Sequence, residues 1–116
     1  MPGARGEATI QADEREVCIL FTNRTLAEAE GELHQSIIAI AQGLTDGTCG
    51  VTEVAVLLRG GMQAARRDVH ESGRVSLNDA FQVLDEAGFT AVTIGVMEAV
   101  SAVLSFGTEE EQGPNP

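Results

Sequence analysis

Residues 90 to 105 read TAVTIGVMEAVSAVLS, with apolar residues at nearly every angle of a helical wheel and Glu98 as the single charge. A helix that is apolar all round must be central, membrane-spanning or covered by another chain. The segment falls short of the roughly 20 residues that a bilayer crossing requires, which excludes a membrane span. The expectation is that Val92, Val96, Ala99 and Val103 pack inward, while Ile94, Met97 and Leu104 are buried by a second copy or by a client. About 300 Å² of apolar area buried there would be worth on the order of 7 kcal/mol before association costs. Glu98 then points outward or pairs with an arginine across an interface; the alternative is a buried, functional carboxylate.

The other helices must supply the remaining cover, and at 116 residues the chain has room for one domain only. Trp and Tyr are absent and Phe occurs four times, so the core is built from aliphatic residues and Ala. The net charge is -11, and all seven basic residues are arginine. Such a field repels phosphate backbones and argues against a nucleic-acid partner. No apolar run follows Met1 to Gly6, so no secretory leader is expected and the chain reads as cytoplasmic. Cys18 and Cys49, thirty-one residues apart, fit neither a disulfide scaffold nor a metal knuckle, and inert reduced thiols are expected.

The pattern predicts an α+β fold, mostly α: an N-terminal β-hairpin over 7 to 22, then four or five helices. Ala8, Ile10 and Ala12 alternate on one strand and Val17, Ile19 and Phe21 on the other, joined by a polar loop from Asp13 to Glu16. Two strands alone are marginal in water, so the hairpin needs a helix beneath it or another chain's strand beside it. A helix over about 25 to 44 opens on a capping box, Thr25-Leu26-Ala27-Glu28, and carries the stripe Leu26, Ala29, Leu33, Ile37, Ile40, Leu44. Gly31 is where it would bend or divide. A helix over 51 to 69 carries Val51, Ala55, Leu58, Met62, Ala65 and Val69, with Gly60-Gly61 opposite and Arg59 and Arg66 on one flank. Ser76 caps a helix over 77 to 87, whose inward face is Leu77, Ala80, Phe81 and Leu84. Gly88 closes it in the left-handed region, Phe89 folds back on Leu84, and Thr90 caps the last helix, which Gly107 ends. Residues 1 to 6 read as a flexible N-terminus, 7 to 107 as the globular domain, and 108 to 116 as a disordered acidic tail.

Catalytic chemistry finds no footing. His34 and His70 lie in no metal-ligand spacing, no serine sits in a nucleophile elbow, and Glu28, Glu30 and Glu32 fall on a solvated helix face. No catalytic residue, metal or cofactor is expected, and an enzyme ranks last among the readings. Residues 75 to 100 have the outline of a helix-turn-helix, but the second helix carries Val, Ile, Met and Glu where bases would be read. Arg59, Arg66 and Arg67 could dock an acidic partner or phosphate, or pair within the chain. Candidate partner-binding residues are therefore Ile94, Met97, Glu98, Leu104, Arg59, Arg66 and Arg67.

The segments RGEATIQADEREVCILFTNRTLAEAE, VTEVAVLLRGGMQAARRD and VSLNDAFQVLDEAGFTAVTIGVMEAVSAVLS, in this order, resemble the tail assembly chaperones of gene transfer agent and siphophage tail clusters. The resemblance covers about residues 4 to 107. It is carried by Arg5-Gly6-Glu7 before a strand, Leu26-Ala27-Glu28-Ala29-Glu30 at a helix start, and Leu58-Arg59-Gly60-Gly61. The chain departs from the pattern in a hairpin loop without glycine and in Met62 to Arg67, which prolong the third helix beyond its glycines. The resemblance implies a non-enzymatic protein that coats the tape measure protein during assembly, keeps it soluble, helps recruit tail tube subunits and forms oligomers, often with a longer frameshifted form. An alternative of another class is a head-to-tail connector or tail component retained in the virion; a third is a small acidic regulator of a basic surface.

Overall fold

The computed structural model describes residues 4–106. Residues 1–3 of the expected flexible N-terminus, Gly107 and the expected acidic tail lie outside that range. Two strands, β1 (Gly6–Ala12) and β2 (Arg15–Phe21), are followed by α1 (Asn23–Leu33), α2 (Ile37–Asp46), α3 (Val51–Asp68), α4 (Leu77–Ala87) and α5 (Phe89–Leu104). This is the expected α+β, mostly helical class. No single helix among the described residues is long and apolar enough to cross a membrane, and α4 and α5 meet at a bend of 115°.

The hairpin is antiparallel, with Ile10 opposite Val17 and Ala12 opposite Arg15. Its connection is only Asp13-Glu14, shorter than the loop to Glu16 expected from the polar run. Asp13 takes a positive φ of 54°, a conformation that aspartate tolerates better than most residues, which is how the turn closes without glycine. Ile10, Ala12, Val17, Ile19 and Phe21 are buried, as their alternation predicts. β1 packs chiefly on α5 and β2 chiefly on α3, so the helices supply the cover that a lone hairpin lacks. The first strand begins at Gly6, and Arg5 ahead of it pairs with Glu7 at 2.7 Å and Asp68 at 2.9 Å. That pairing holds the Asp68 carboxyl below its ordinary value and raises the Arg5 guanidinium further.

The expected helix over 25 to 44 is two helices. Its cap is Thr22, whose hydroxyl accepts from the Thr25 N–H, and Thr25 itself is buried inside the first turn. The break falls at His34, in the left-handed region at φ 56°, rather than at Gly31. Ser36 caps α2, and the Glu30 carboxylate reaches across the break to accept the Ile37 N–H at 2.7 Å. The apolar stripe survives: Leu26, Ala29, Ile40 and Leu44 are buried, and Leu33 and Ile37 lie against the core. Gly47 ends α2 in the left-handed region, as the turn signal requires.

Helix α3 runs unbroken through Gly60-Gly61, and its buried face is Val54, Ala55, Leu57, Leu58, Gly61 and Ala64. That face is rotated from the expected stripe, leaving Val51 and Val69 more than half exposed. The cause is Gly61, which lies against β2 instead of opposite: a Cβ there would sit 2.8 Å from the Phe21 ring and 3.0 Å from the Ile19 Cβ. Helix α3 opens with the Glu53 carboxylate accepting the Gly50 N–H at 2.9 Å, which holds that carboxyl below its ordinary value. Helix α4 has the predicted bounds and the Ser76–Asp79 capping box, with bonds of 2.9 and 3.0 Å. Its buried face is Ala80, Val83 and Leu84, while Leu77 is partly exposed and Phe81 half-buried. Gly88 has the expected positive φ, but it also caps α5, and Phe89 starts that helix 40% exposed.

Candidate functional site

The feature of α5 that suggested an outside partner changes once the helix is placed. Val92, Gly95, Val96, Ala99, Val100 and Val103 are buried, four of them the residues expected to face inward. Met97 and Leu104 are half-buried against the chain's own core, and Met97 sulfur lies 4.0 Å from the Thr45 hydroxyl. The exposed strip holds Thr90, Ala91, Ile94, Glu98, Ser101 and Ala102, so Ile94, 46% exposed, is its single large apolar side chain. Glu98 is exposed and pairs with no arginine among the described residues. The expectation that this helix needs a second chain to hide it is corrected: the hairpin, α2, α3 and α4 cover most of it.

A groove of mixed lining lies elsewhere, with buried core side chains at its base and Glu28, Glu32, Arg59, Gln63, Arg67 and Arg74 along its walls. Between α1 and α3 runs a groove of about 600 Å³ with Phe21, Ala29, Val56, Leu57 and Val75 in its lining. It stays open because glycines stand where side chains would narrow it. A Cβ at Gly31 would meet nothing within 4 Å, and one at Gly60 only the Thr25 methyl group at 3.8 Å. The rims are charged. One Arg59 nitrogen reaches both carboxylate oxygens of Glu32, and Arg67 lies 3.6 Å from Glu28, which also receives Arg24 at 3.4 Å. Glu28 and Glu32, expected on a solvated face, thus hold two of the arginines that border the groove.

The three arginines of α3 do not act together. Arg59 and Arg67 line the groove, whereas Arg66 turns to the loop after α3, donating to the Ser72 carbonyl at 2.7 Å and lying 3.8 Å from Glu71. Arg74, in that loop, also lines the groove, and it lines a second pocket with Glu16, Glu71 and Asp79. The residues on either side of Arg74 are fixed by one side chain: the Gln63 amide donates to the Gly73 carbonyl at 3.2 Å and accepts from the Val75 N–H at 2.8 Å. Neither Arg74 nor Gln63 was singled out from sequence. The local signals were a glycine before Arg74 and a buried valine after it, and neither reveals a clamp from another element.

Other reactive groups lie apart from the groove. Cys18 is exposed on the outer face of the hairpin, and Cys49 is half-buried, its thiol 3.6 Å from the Ile40 carbonyl and raised by burial and by Glu53. His34 and His70 are exposed and both have positive φ, so they serve as chain-turning residues at the ends of α1 and α3. Among the described residues no three of His, Cys, Asp and Glu converge as a metal-binding set. The arrangement offers shape and paired charge at one surface. No family model, curated protein or solved structure matches the chain.

Proposed function

We propose that this chain is a non-enzymatic tail assembly chaperone that works in the host cytoplasm. It receives a helical segment of the tape measure protein in the groove between α1 and α3, keeps that client soluble and helps recruit tail tube subunits. The observation that carries the reading is the groove itself: a trough left open at Gly31 and Gly60, with core side chains at its base and ion pairs along its rims. Helix-in-groove recognition needs such a trough for side chains spaced three and four residues apart. The net charge of -11 keeps loaded copies dispersed. Ile94, exposed on α5 beside the half-buried Met97, offers a further contact, suited to another copy of the chain.

Co-expression with a tape measure protein tests this directly. The native chain is expected to hold the client in the soluble fraction. Gly60→Leu, which fills the groove at a position with room for a side chain, is expected to release the client into the pellet, with the chaperone itself still folded. A client that stays equally soluble with Gly60→Leu would overturn the groove as the binding site. Recovery of the chain in purified mature particles would favour the virion-component reading instead.

A further inference from the structure

A strand has two edges, and among the described residues β1 pairs along only one of them. The two-residue turn makes Ala12 and Arg15 a hydrogen-bonded pair, and the ladder alternates from there. Glu7, Thr9 and Gln11 therefore turn their N–H and C=O groups away from β2. No backbone group outside the hairpin bonds to them among the described residues. Such edges are usually blunted by proline, by basic residues or by a bulge. β1 has none of these: it reads GEATIQA, pairs without a slip from Gly6 to Ala12, and carries Glu7 as its single charge. β2 is different, because Arg15 to Cys18 share a pocket wall with Met62, Ala65 and Arg66 of α3.

Beside the free edge lies a ledge. Helix α5 runs under β1, with Gly95 against Ile10 and the Ala99 carbonyl against Gly6. Ala91, Glu98 and Ala102 are the helical neighbours of Gly95 and Ala99 on the side away from the core, and all three are exposed. Packed helices stand about 8 to 10 Å apart and paired strands about 4.8 Å, so α3 and α5 make a floor wider than the two strands laid on it.

We infer that β1 accepts an extended, basic segment of another protein as a third strand, with a lysine or arginine of that segment reaching Glu98. The unpaired ladder groups call for an extended backbone, and Ala91 and Ala102 leave room above α5 for its side chains. The charge follows from Glu98, which has no arginine partner among the described residues, and from a net charge of -11 that draws basic segments in. A second copy of the chain is the poorer occupant. Two β1 edges paired across a two-fold axis would bring two α5 helices closer than packed helices stand, and bodies of charge -11 repel.

The test uses three short peptides of alternating threonine and valine: one with two lysines, one with two glutamates in their place, and the lysine peptide fully N-methylated. Each is titrated by fluorescence anisotropy into the full chain at about 0.15 M salt. The lysine peptide is expected to bind about tenfold tighter than the glutamate peptide. The methylated peptide keeps the charge but loses the ladder donors, and it should not bind. By hydrogen exchange, the Thr9 amide should be open in the free chain and protected about tenfold by the lysine peptide. Thr9→Pro removes only an outward N–H and should abolish binding with little change in melting temperature. Glu98→Lys, at an exposed position, should level the lysine and glutamate peptides. Binding of the methylated peptide, a lysine preference that Glu98→Lys leaves in place, or a Thr9 amide already protected in the free monomer would overturn the inference. Thr9 protection that grows with protein concentration would overturn it too, by giving the edge to a second copy.

Discussion

The seam between the hairpin and α5 and the groove between α1 and α3 are both built around glycines, and the glycines do opposite things. At Gly6 a Cβ would collide with the Ala99 carbonyl oxygen on α5, and at Gly95 it would lie 2.9 Å from Ile10. There the missing side chain lets strand and helix touch. At Gly31 and Gly60 there is ample room, and the missing side chain leaves a channel. The same residue type closes one face of the molecule and opens another, so composition alone does not say which face is available to a partner.

Substitutions should separate the two regions sharply. Gly6→Ala has the largest expected effect, about 3 kcal/mol of destabilisation measured by urea unfolding, because the obstacle is a backbone oxygen that cannot swing away. Gly61→Ala should cost about 1 to 2 kcal/mol: the clash with Phe21 and Ile19 is relieved in part by ring movement and by a better helix former. Gly31→Ala has the other sign and should stabilise by about 0.5 to 1 kcal/mol, since it lies inside α1 with nothing near. A destabilising Gly31→Ala would mean that the groove is closed in solution.

The outline of the fold was legible because it rests on period and punctuation. Alternation gave the inward faces of both strands, and Ser76 with Asp79 fixed the start of α4. The break at His34 was not legible, since a histidine at positive φ is uncommon and Gly31 was the more obvious breaker. What ends α1 is a capped start for α2 at Ser36, completed by a carboxylate seven residues before the N–H it serves. The groove was hidden for a related reason. Glu28, Glu30 and Glu32 look like a solvated run, and only the crossing of α1 and α3 shows that Glu28 and Glu32 border a groove and hold arginines across it. Helix α5 misled in the other direction, because apolar residues around a short helix are also what a central helix needs.

Two smaller effects sharpen the contrast. Asp79, Glu53 and Asp68 all have carboxyls lowered by bonds made in the folded state, to Ser76, Gly50 and Arg5 first in each case. Their contributions are complete above the ordinary values of 3.8 for the aspartates and 4.5 for the glutamate, and fall away as pH drops through the lower folded values. Melting temperature should therefore decline below about pH 4.5. Asp79→Asn should flatten part of that decline, and an unaltered profile would remove Asp79 from the account. Smallest of all, Ile94→Glu should change stability by less than about 0.5 kcal/mol, because its side chain is nearly half in water. A drop in mass by light scattering, with stability unchanged, would assign Ile94 to contact between copies.

The Gly6 contact with Ala99 also sets an order of events during translation. β1 emerges from the ribosome well before α5, the helix that shelters it. A bare two-stranded ribbon is barely stable in water, so the nascent chain must keep its sticky first strand waiting until residues near position 99 have cleared the exit tunnel. A chain stalled between α4 and α5 would expose Ile10 and be drawn to other unfinished copies, so arrival of α5 and escape from aggregation become one step.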